Sequence, residues 1–396
     1  MTAVPEYALP ILDPAVMRDP YPHYREMRAL GPVVRNPALM GAWMVSGYDE
    51  AMGVLTDPGL YSSASFAQQR DRSGAFEAAT MLNSDPPDHE RLRGVVARAF
   101  TPRSVATFEP RLRDITAGLL APLRDGVTYD VVGELAFPLP VIAISEMLGV
   151  SADDRDSFRR WSNQLIAGTS ELAPEETVAA AREGADCLKE YFRTEIAQRR
   201  ARPGDDLVSR LVEANQGDVL SDDELLSACV LLLVAGNETT TNLIANQALA
   251  LGRHPEQRRR VVADAGLAAS AVQEVLRFDA PVQATVRAPL GPAELAGRKL
   301  DPGQMIFVLI GAANRDPARF EEPDTLDVGR SPNTHLGFGH GIHYCLGASL
   351  ARLEARLALE GLLEAAPDYD LACDPDTLDY GASFIFHSPR SLPIAV

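Results

Sequence analysis

The chain has 396 residues, 46% hydrophobic and 23% charged, a composition that supports a large buried core and excludes a low-complexity, collagenous or disulfide-stapled protein. Its 55 acidic residues exceed the 37 lysines and arginines, which leaves a net charge of −18. Because such a surface repels phosphate backbones and anionic lipids, we expect neither nucleic-acid nor membrane binding.

The four cysteines, at 187, 229, 345 and 373, are widely spaced and form no pairing motif. The N-terminus lacks the basic and apolar regions of a signal peptide, and the longest apolar run, 228–236, is less than half of a bilayer span. No linker or repeat divides the sequence. We therefore expect one monomeric, cytoplasmic domain over 1–396, with a β-rich part over roughly 1–60 and a helical part over roughly 86–396.

In chain order, the first predicted element is extended structure at 33–45. Helical periodicity dominates from about residue 86, where Asp85 is placed to cap a helix whose first turn contains two prolines. Further strands are predicted at 284–288, 305–310 and 383–386. The expected fold is therefore mainly α with a small β portion.

The clearest helix begins at Ser221, where Glu224 completes a capping box, and ends near Gly252. About 30 residues at 1.5 Å each give it a length of roughly 45 Å, enough to cross the molecule. It is apolar on most faces over 228–236, so it should be a buried central helix. Two more helices are predicted at 267–277 and 346–363.

The segment 335–347, directly before the last helix, carries the most informative chemistry. Its glycines at 337, 339 and 341 permit positive φ or close backbone approach. Cys345 stands at the start of a helix, where free N–H groups and the helix dipole favour a thiolate suited to binding a metal.

The residues of this segment allow three other interpretations. One is an ordinary glycine-rich turn beside an inert cysteine. A phosphate loop fits poorly because no Gly-Lys-Ser/Thr sequence is present. A zinc site is possible by residue type but has the spacing of no ordinary zinc module; its ligands would be His335, His340, His343 and Cys345.

A fourth interpretation uses six residues of the same segment: Phe338, Gly339, Gly341, His343, Cys345 and Gly347. They occupy every position of the haem-binding signature of the cytochrome P450 family, so the segment resembles that family's iron-ligand loop. The resemblance implies the cytochrome P450 fold, with haem b between the long central helix and the loop that bears the cysteine before the last helix. It also implies that Cys345 ligates the iron.

The middle of the central helix is similar to the family's oxygen-binding motif. A mid-helix glycine costs about 1 kcal/mol relative to alanine, and a buried acid is costly unless partnered, so function rather than stability should favour both. By resemblance, Ala235 and Gly236 adjoin the haem, with Gly236 leaving a groove over it. Thr239 would hydrogen-bond dioxygen there, and Glu238 would feed a water relay that delivers two protons.

Glu274 and Arg277 taken alone would be an ordinary surface ion pair. They are also similar to the family's Glu-x-x-Arg motif, and Arg330 stands where its third member is expected. The implied role is structural, as a buried network that holds the ligand loop.

The resemblance implies that cationic groups bind the two haem propionates, namely His89, Arg93, Arg287 and His343. It also implies a substrate pocket for a hydrophobic small molecule, in which Gln283 and Thr285 either orient a polar group or face a loop. The pocket residues expected by family position are Phe66, Phe76, Met81, Leu82, Leu231, Ala235, Val282, Gln283, Thr285, Ile385 and Phe386.

The resemblance spans nearly the whole chain and implies a soluble bacterial monooxygenase that inserts one oxygen atom from O2 into its substrate. Electrons would come from a separate ferredoxin and its reductase. A ferredoxin would dock on a basic patch of arginines: Arg91, Arg98, Arg103, Arg352 and Arg356. The alternative is that these arginines are scattered over the surface and form no patch. Two alternatives remain open, a peroxide-driven peroxygenase of the same fold and a non-enzymatic haem or metal carrier. The pair of Glu238 and Thr239 argues against the peroxygenase.

Overall fold

The computed structural model describes residues 4–11, 13–65, 73–76, 78–123, 126–168, 173–381 and 383–396. Helices dominate the described chain. Their bounds are α1 Pro14–Arg18, α2 Tyr21–Leu30, α3 Tyr48–Thr56, α4 Asp88–Ala97, α5 Pro102–Ala106, α6 Glu109–Leu120, α7 Pro138–Leu148, α8 Arg155–Ala167, α9 Glu175–Ala201, α10 Leu207–Gln216, α11 Asp222–Arg253, α12 Pro255–Ala263, α13 Ala268–Phe278, α14 Ile310–Ala313 and α15 Ala348–Ala365.

The strands are short. Their bounds are β1 Val33–Asn36, β2 Ala42–Val45, β3 Tyr61–Ser62, β4 Thr128–Asp130, β5 Ala284–Pro289, β6 Ala293–Leu295, β7 Arg298–Leu300, β8 Ile306–Leu309, β9 Asp370–Leu371 and β10 Pro393–Ala395. The main sheet has the order β1-β2-β8-β5-β3, and only the β2–β8 pair within it is parallel. It therefore joins strands from residues 33–62 to strands from residues 284–309.

The central helix α11 packs against α7, α9, α13 and α15 and forms the middle of the largest hydrophobic core. The capping box predicted at its start is present, with reciprocal bonds between Ser221 and Glu224. Among the described helices, α11 alone has the length and apolar content of a membrane span. Since 72% of its most apolar window is buried inside the protein, core packing accounts for that composition.

Three predictions of local structure are wrong. The stretch 33–45 is not one strand, because a short 3-10 helix and a left-handed Met40 (φ 53°) separate β1 from β2. Residues 383–386 form a turn in which the Ser383 hydroxyl accepts the N–H groups of Ile385 and Phe386. The first 60 residues are not mainly β, since α1, α2 and α3 lie there.

Candidate haem site

The loop before α15 presents Cys345 on a tightly bonded turn. The N–H of Cys345 donates to the carbonyl of Phe338 at 2.9 Å, and Gly339 and Gly341 take the left-handed conformations (φ 68° and 69°) that close the turn. Burial raises the pKa of the Cys345 thiol, while the Gly347 N–H and the charges of Arg93 and Arg352 oppose that shift. The loop thus supplies part of the stabilisation that a thiolate requires.

Two glycines of this loop serve packing rather than approach to a flat ligand. A Cβ on Gly341 would overlap the carbonyl group of Leu55 in α3, and one on Gly337 would overlap the carbonyl oxygen of Leu276 in α13. The loop therefore lies directly against two backbone segments. This contact fixes where Cys345 stands relative to the rest of the molecule.

A cationic cluster, in which Arg93 and Arg287 carry the positive charge beside His89 and His343, lies next to this loop. Arg287 is 7% exposed and donates to the Thr285 hydroxyl at 3.1 Å and to the Val286 carbonyl at 2.8 Å; no described carboxylate forms an ion pair with it. His89 is 2% exposed, and neither of its ring nitrogens has a hydrogen-bond partner. Its ring centre lies 4.5 Å from that of His343.

The electrostatics of this cluster favour anions. Burial, followed by the charge of Arg287, lowers the pKa of His343 to about 3. Burial, followed by the charge of Arg93, lowers the pKa of His89. Burial lowers the pKa of Arg287 to about 10, against the effect of Asp85. Buried polar groups normally have partners, so this cluster fits two carboxylates such as the haem propionates.

The zinc alternative is not supported. No group of three or more His, Cys, Asp or Glu residues converges in a metal-binding arrangement within the part of the chain that the structure describes. His335 is instead engaged by protein groups, since its Nε2 lies 3.0 Å from the Gln273 amide oxygen and its Nδ1 accepts the Gly337 N–H.

His343 is held by the protein on both sides of its ring. Its Nε2 lies 3.0 Å from the Ser63 hydroxyl, and the ring also hydrogen-bonds the backbone of Met81. Asp85 accepts the Ser63 N–H at 2.8 Å, so it holds this segment and does not cap α4 as predicted. Sequence reasoning missed Ser63, and no motif marks it.

The middle of α11 contains accessible residues, although most of this helix is buried. Ala235 is exposed and Thr239, one turn on, is half-buried; the Thr239 hydroxyl donates to the Ala235 carbonyl at 2.9 Å. Burial raises the pKa of Glu238, while a hydrogen bond with Asn242 and the charges of Arg390 and Arg159 oppose it. Asn242 was missed, although its position four residues after Glu238 could have indicated the contact.

Gly236 packs against α7, whereas the resemblance led us to expect that it leaves a groove over the haem. A Cβ at this position would lie 3.3 Å from Cγ1 of Ile144 in α7. That distance is tighter than ordinary packing, so the glycine permits close contact between α11 and α7. Ala235 is the exposed residue of this turn, and Gly236 and Thr239 are both half-buried.

Glu274 lies at the centre of a buried network, not in a surface ion pair. Its carboxylate accepts two bonds from Arg277 at 2.8 Å each and one from Arg330 at 3.1 Å. The Asp327 N–H at 2.9 Å and the Asn333 amide at 3.1 Å complete its partners. Arg277 in turn donates to carbonyls of the segment that leads to the cysteine loop.

One of the predicted pocket residues faces the core, and another is largely exposed. Gln283 is 2% exposed and donates to the Tyr21 hydroxyl and the Ala280 carbonyl, so it faces the core. Leu82 is 61% exposed at the surface. Phe66 lies outside the described residues.

The other pocket residues lie as follows. The Thr285 hydroxyl accepts from Arg287, which ties it to the cationic cluster. Met81 and Leu231 line one cavity, and Phe76 packs against the main core. Val282 pairs with Phe386 in an isolated bridge, and Ile385 accepts the Gln283 N–H at 2.7 Å.

Comparison with known proteins agrees with this geometry. The model of the family "Cytochrome P450" matches residues 173–376. The chain is 41% identical to the cytochrome P450 monooxygenase PikC of Streptomyces venezuelae, over 95% of this chain and 91% of that protein. It is 39% identical to the vitamin D(3) 25-hydroxylase of Pseudonocardia autotrophica, over 96% and 94%.

A solved structure of a myxobacterial cytochrome P450, CYP267B1 in complex with myristic acid, superposes with a TM-score of 0.90. It is 38% identical and covers 97% of this chain and 98% of that one. The predicted fold class and cofactor are thereby confirmed. The chain belongs to the cytochrome P450 family, as a monooxygenase that uses O2 and a haem b ligated by a cysteine, Cys345 in this sequence.

Proposed function

We propose that this enzyme hydroxylates a hydrophobic small molecule with O2, using electrons from a ferredoxin and its reductase in the bacterial cytoplasm. The arrangement of Thr239 and Glu238 carries the proposal. A hydroxyl bonded within its own helix stands beside a carboxyl that burial keeps protonated to higher pH than an ordinary glutamate. Haem b, when bound, supplies the activation of O2 and the transfer of one oxygen atom to the substrate.

The chain's own groups perform the proton chemistry. Thr239 Oγ1 holds a proton that it shares with the Ala235 carbonyl and can redirect toward dioxygen. Glu238 holds the next proton, and the Asn242 amide orients its carboxyl. Both protons required for oxygen-atom transfer can follow this route.

His89, Arg93 and Arg287 are proposed to hold the propionates, with His343 positioned behind them by Ser63. The support is the buried Arg287 guanidinium, whose described hydrogen-bond partners are uncharged, and the two ring nitrogens of His89, which have no partner. Val282 and Phe386 are proposed to form one wall of the substrate pocket with Ile385, and Phe76, Met81 and Leu231 another. Their apolar side chains favour a hydrophobic substrate.

Substitution Thr239→Ala tests the proton route. We expect the ferrous carbon monoxide complex to keep its thiolate absorption band, because haem binding does not depend on this hydroxyl. Oxidised product should fall at least tenfold per electron consumed, with hydrogen peroxide released instead, since one positioned proton donor contributes roughly 10²- to 10⁴-fold. Thr241→Ala is the matched control, because Thr241 is buried and its hydroxyl contacts Asn237 at 3.3 Å.

The same measurement separates the two alternatives. A peroxygenase would work faster with peroxide alone than with reduced ferredoxin and would tolerate the loss of Thr239. A non-enzymatic carrier would bind haem and oxidise nothing in either variant. Equal coupling in Thr239→Ala and the wild type contradicts the proposed role.

A ferredoxin is proposed to dock on the face that carries Arg98 and Arg103. Both are exposed, and no described carboxylate pairs with them. Helix α5, which contains Arg103, packs against α15, which follows Cys345. Arg91 and Arg356 contribute less, because Arg91 is paired with Glu224 at 2.6 Å and Arg356 with two glutamates at 2.8 Å.

A further inference from the structure

A buried polar cluster lies behind the segments that carry Val282 and Phe386. These segments are joined by two backbone bonds, from the Gln283 N–H to the Ile385 carbonyl at 2.7 Å and from the His387 N–H to the Pro281 carbonyl at 2.9 Å. Because side chains alternate along extended backbone, His387 points away from the face of Phe386. The cluster therefore supports the two segments from outside the proposed pocket.

Asn246 fastens both segments to the central helix. It is fully buried, and its single amide nitrogen donates to the carbonyls of Asp279 and His387 at 3.1 and 2.8 Å. Asn246 lies seven residues after Thr239, which is two helical turns on the same face and roughly 10 Å along the axis. One side chain thus sets the spacing between the Thr239 face of α11 and both segments.

A close polar contact joins the same two segments to each other. His387 Nδ1 lies 2.9 Å from Asp279 Oδ1, and its Nε2 lies 3.2 Å from the Arg18 carbonyl. The Tyr21 hydroxyl donates to the same carboxylate at 2.8 Å, and the Arg315 guanidinium stacks 3.5 Å from the Tyr21 ring centre.

The charges around Asp279 agree with an ionised carboxylate. Burial alone would raise its pKa, but the charge of His387, hydrogen bonds from His387 and Tyr21, and the charge of Arg315 lower it below its usual value. None of these groups has a role in the proposed proton route. An apolar replacement of similar volume is often as stable as a buried polar pair, so stability alone does not account for this cluster.

We propose that Asn246, Asp279 and His387 are specificity-determining positioning residues, which hold the wall formed by Val282 and Phe386 at a fixed distance from Thr239. The inference rests on the proposed position of that wall in the substrate pocket. Bulky ligands that touch the wall depend on the cluster, whereas small ligands bound at the iron do not. The cluster therefore selects the size and shape of the hydrophobic substrate.

The test uses the haem-loaded His387→Gln variant and two azoles that bind haem iron. Imidazole is too small to reach the wall, and 4-phenylimidazole extends an aromatic ring toward it. We expect the Kd of imidazole to stay within twofold of the wild type and that of 4-phenylimidazole to rise at least fivefold. Equal changes in both constants, or none in either, overturn the inference.

His254→Gln is the matched control, because His254 also contacts a carboxylate, Glu256 at 3.4 Å, but does so at the exposed end of α11. It should leave both constants unchanged. Asp279→Asn combined with His387→Gln should be no worse than either substitution alone, since the two residues act as one pair. Additive effects would contradict the pairing.

If His387→Gln does not retain haem, Asn246→Ala gives the same measurement, because it removes two hydrogen bonds and leaves no charge unpaired. An unaltered 4-phenylimidazole constant in that variant would also overturn the inference. Failure of the proposed function is distinguishable, since it would appear in the wild type as the absence of oxidised product with O2 and reduced ferredoxin, whereas the two azole constants are measured without turnover.

Discussion

Arg287 is a buried cation whose described hydrogen-bond partners are uncharged. Burying a charge without a counter-charge raises the free energy of the folded chain. A propionate would supply that counter-charge. We expect Arg287→Leu to speed haem loss roughly 10- to 100-fold, because a hydrogen bond to a charged group contributes about 1.5–3 kcal/mol. Haem transfer to an excess of apomyoglobin measures that rate.

Two further variants make the Arg287 measurement specific. Arg287→Lys keeps the charge but loses the planar pair of donors, so its rate should lie between those of the wild type and Arg287→Leu. Arg298→Leu, in the β6–β7 hairpin, removes a half-buried cation elsewhere and should leave the rate unchanged. If all three variants lose haem at the wild-type rate, Arg287 does not hold a propionate.

Glu238 gives a pH prediction whose sign follows from burial. Its folded-state pKa is raised above the unfolded value, so its favourable contribution is complete below the ordinary glutamate pKa of about 4.3 and is lost as pH rises through the folded value. Glu238→Gln should therefore gain stability relative to the wild type between pH 5 and 8, and lose that advantage in acid. Thermal unfolding of the holoprotein across this range measures the difference. A difference that does not change with pH would contradict the raised pKa of Glu238.

At the scale of elements, the Glu274 carboxylate accepts five hydrogen bonds, and three of them join α13 to the segment before the cysteine loop. Both Glu274 and Arg277 are fully buried. Glu274→Gln leaves Arg277 without its counter-charge, so we expect a loss of about 3–5 kcal/mol and of bound haem. Urea unfolding and the haem-to-protein ratio measure the two effects.

The matched substitution for Glu274 is Glu146→Gln, which breaks the exposed pair with Arg111 at 2.8 Å. Surface pairs contribute about 0–1 kcal/mol, so this variant should stay close to the wild type. Similar losses in the two variants would show that the buried network has no special role in holding the loop.

Elements with strong local signals were predictable from the sequence. The capping box placed the start of α11 correctly, and α13 and α15 begin and end within two residues of their predicted limits. Errors arose where a side chain overrides the backbone pattern. The Ser383 hydroxyl bends a stretch that reads as a strand, and Asp85 bonds Ser63 across a loop instead of capping a helix.

At the scale of the whole molecule, the missing information is long-range pairing. Nothing local in β2 indicates that it pairs in parallel with β8, about 260 residues later along the chain. The cationic cluster likewise joins residues of α4, β5 and the cysteine loop. Its members were predicted from the family resemblance and not from their spacing in the sequence. Ser63 and Asn246 lie outside every motif, so only the three-dimensional arrangement reveals their contacts.

The net charge of −18 makes the proposed ferredoxin surface testable, because an acidic donor is repelled from most of the molecule and attracted where arginines lack acidic partners. Arg98→Glu combined with Arg103→Glu should raise the KM for ferredoxin at least tenfold at low ionic strength and weaken its salt dependence. Haem content and azole binding should not change, because both side chains lie at the surface. The control is Arg25→Glu combined with Arg155→Glu, which changes the net charge by the same amount but on α2 and α8. These two arginines form only long ion pairs, with Asp324 at 3.6 Å and with Asp156 at 4.0 Å. The docking surface is wrong if this pair of substitutions raises the KM as much as the first pair does.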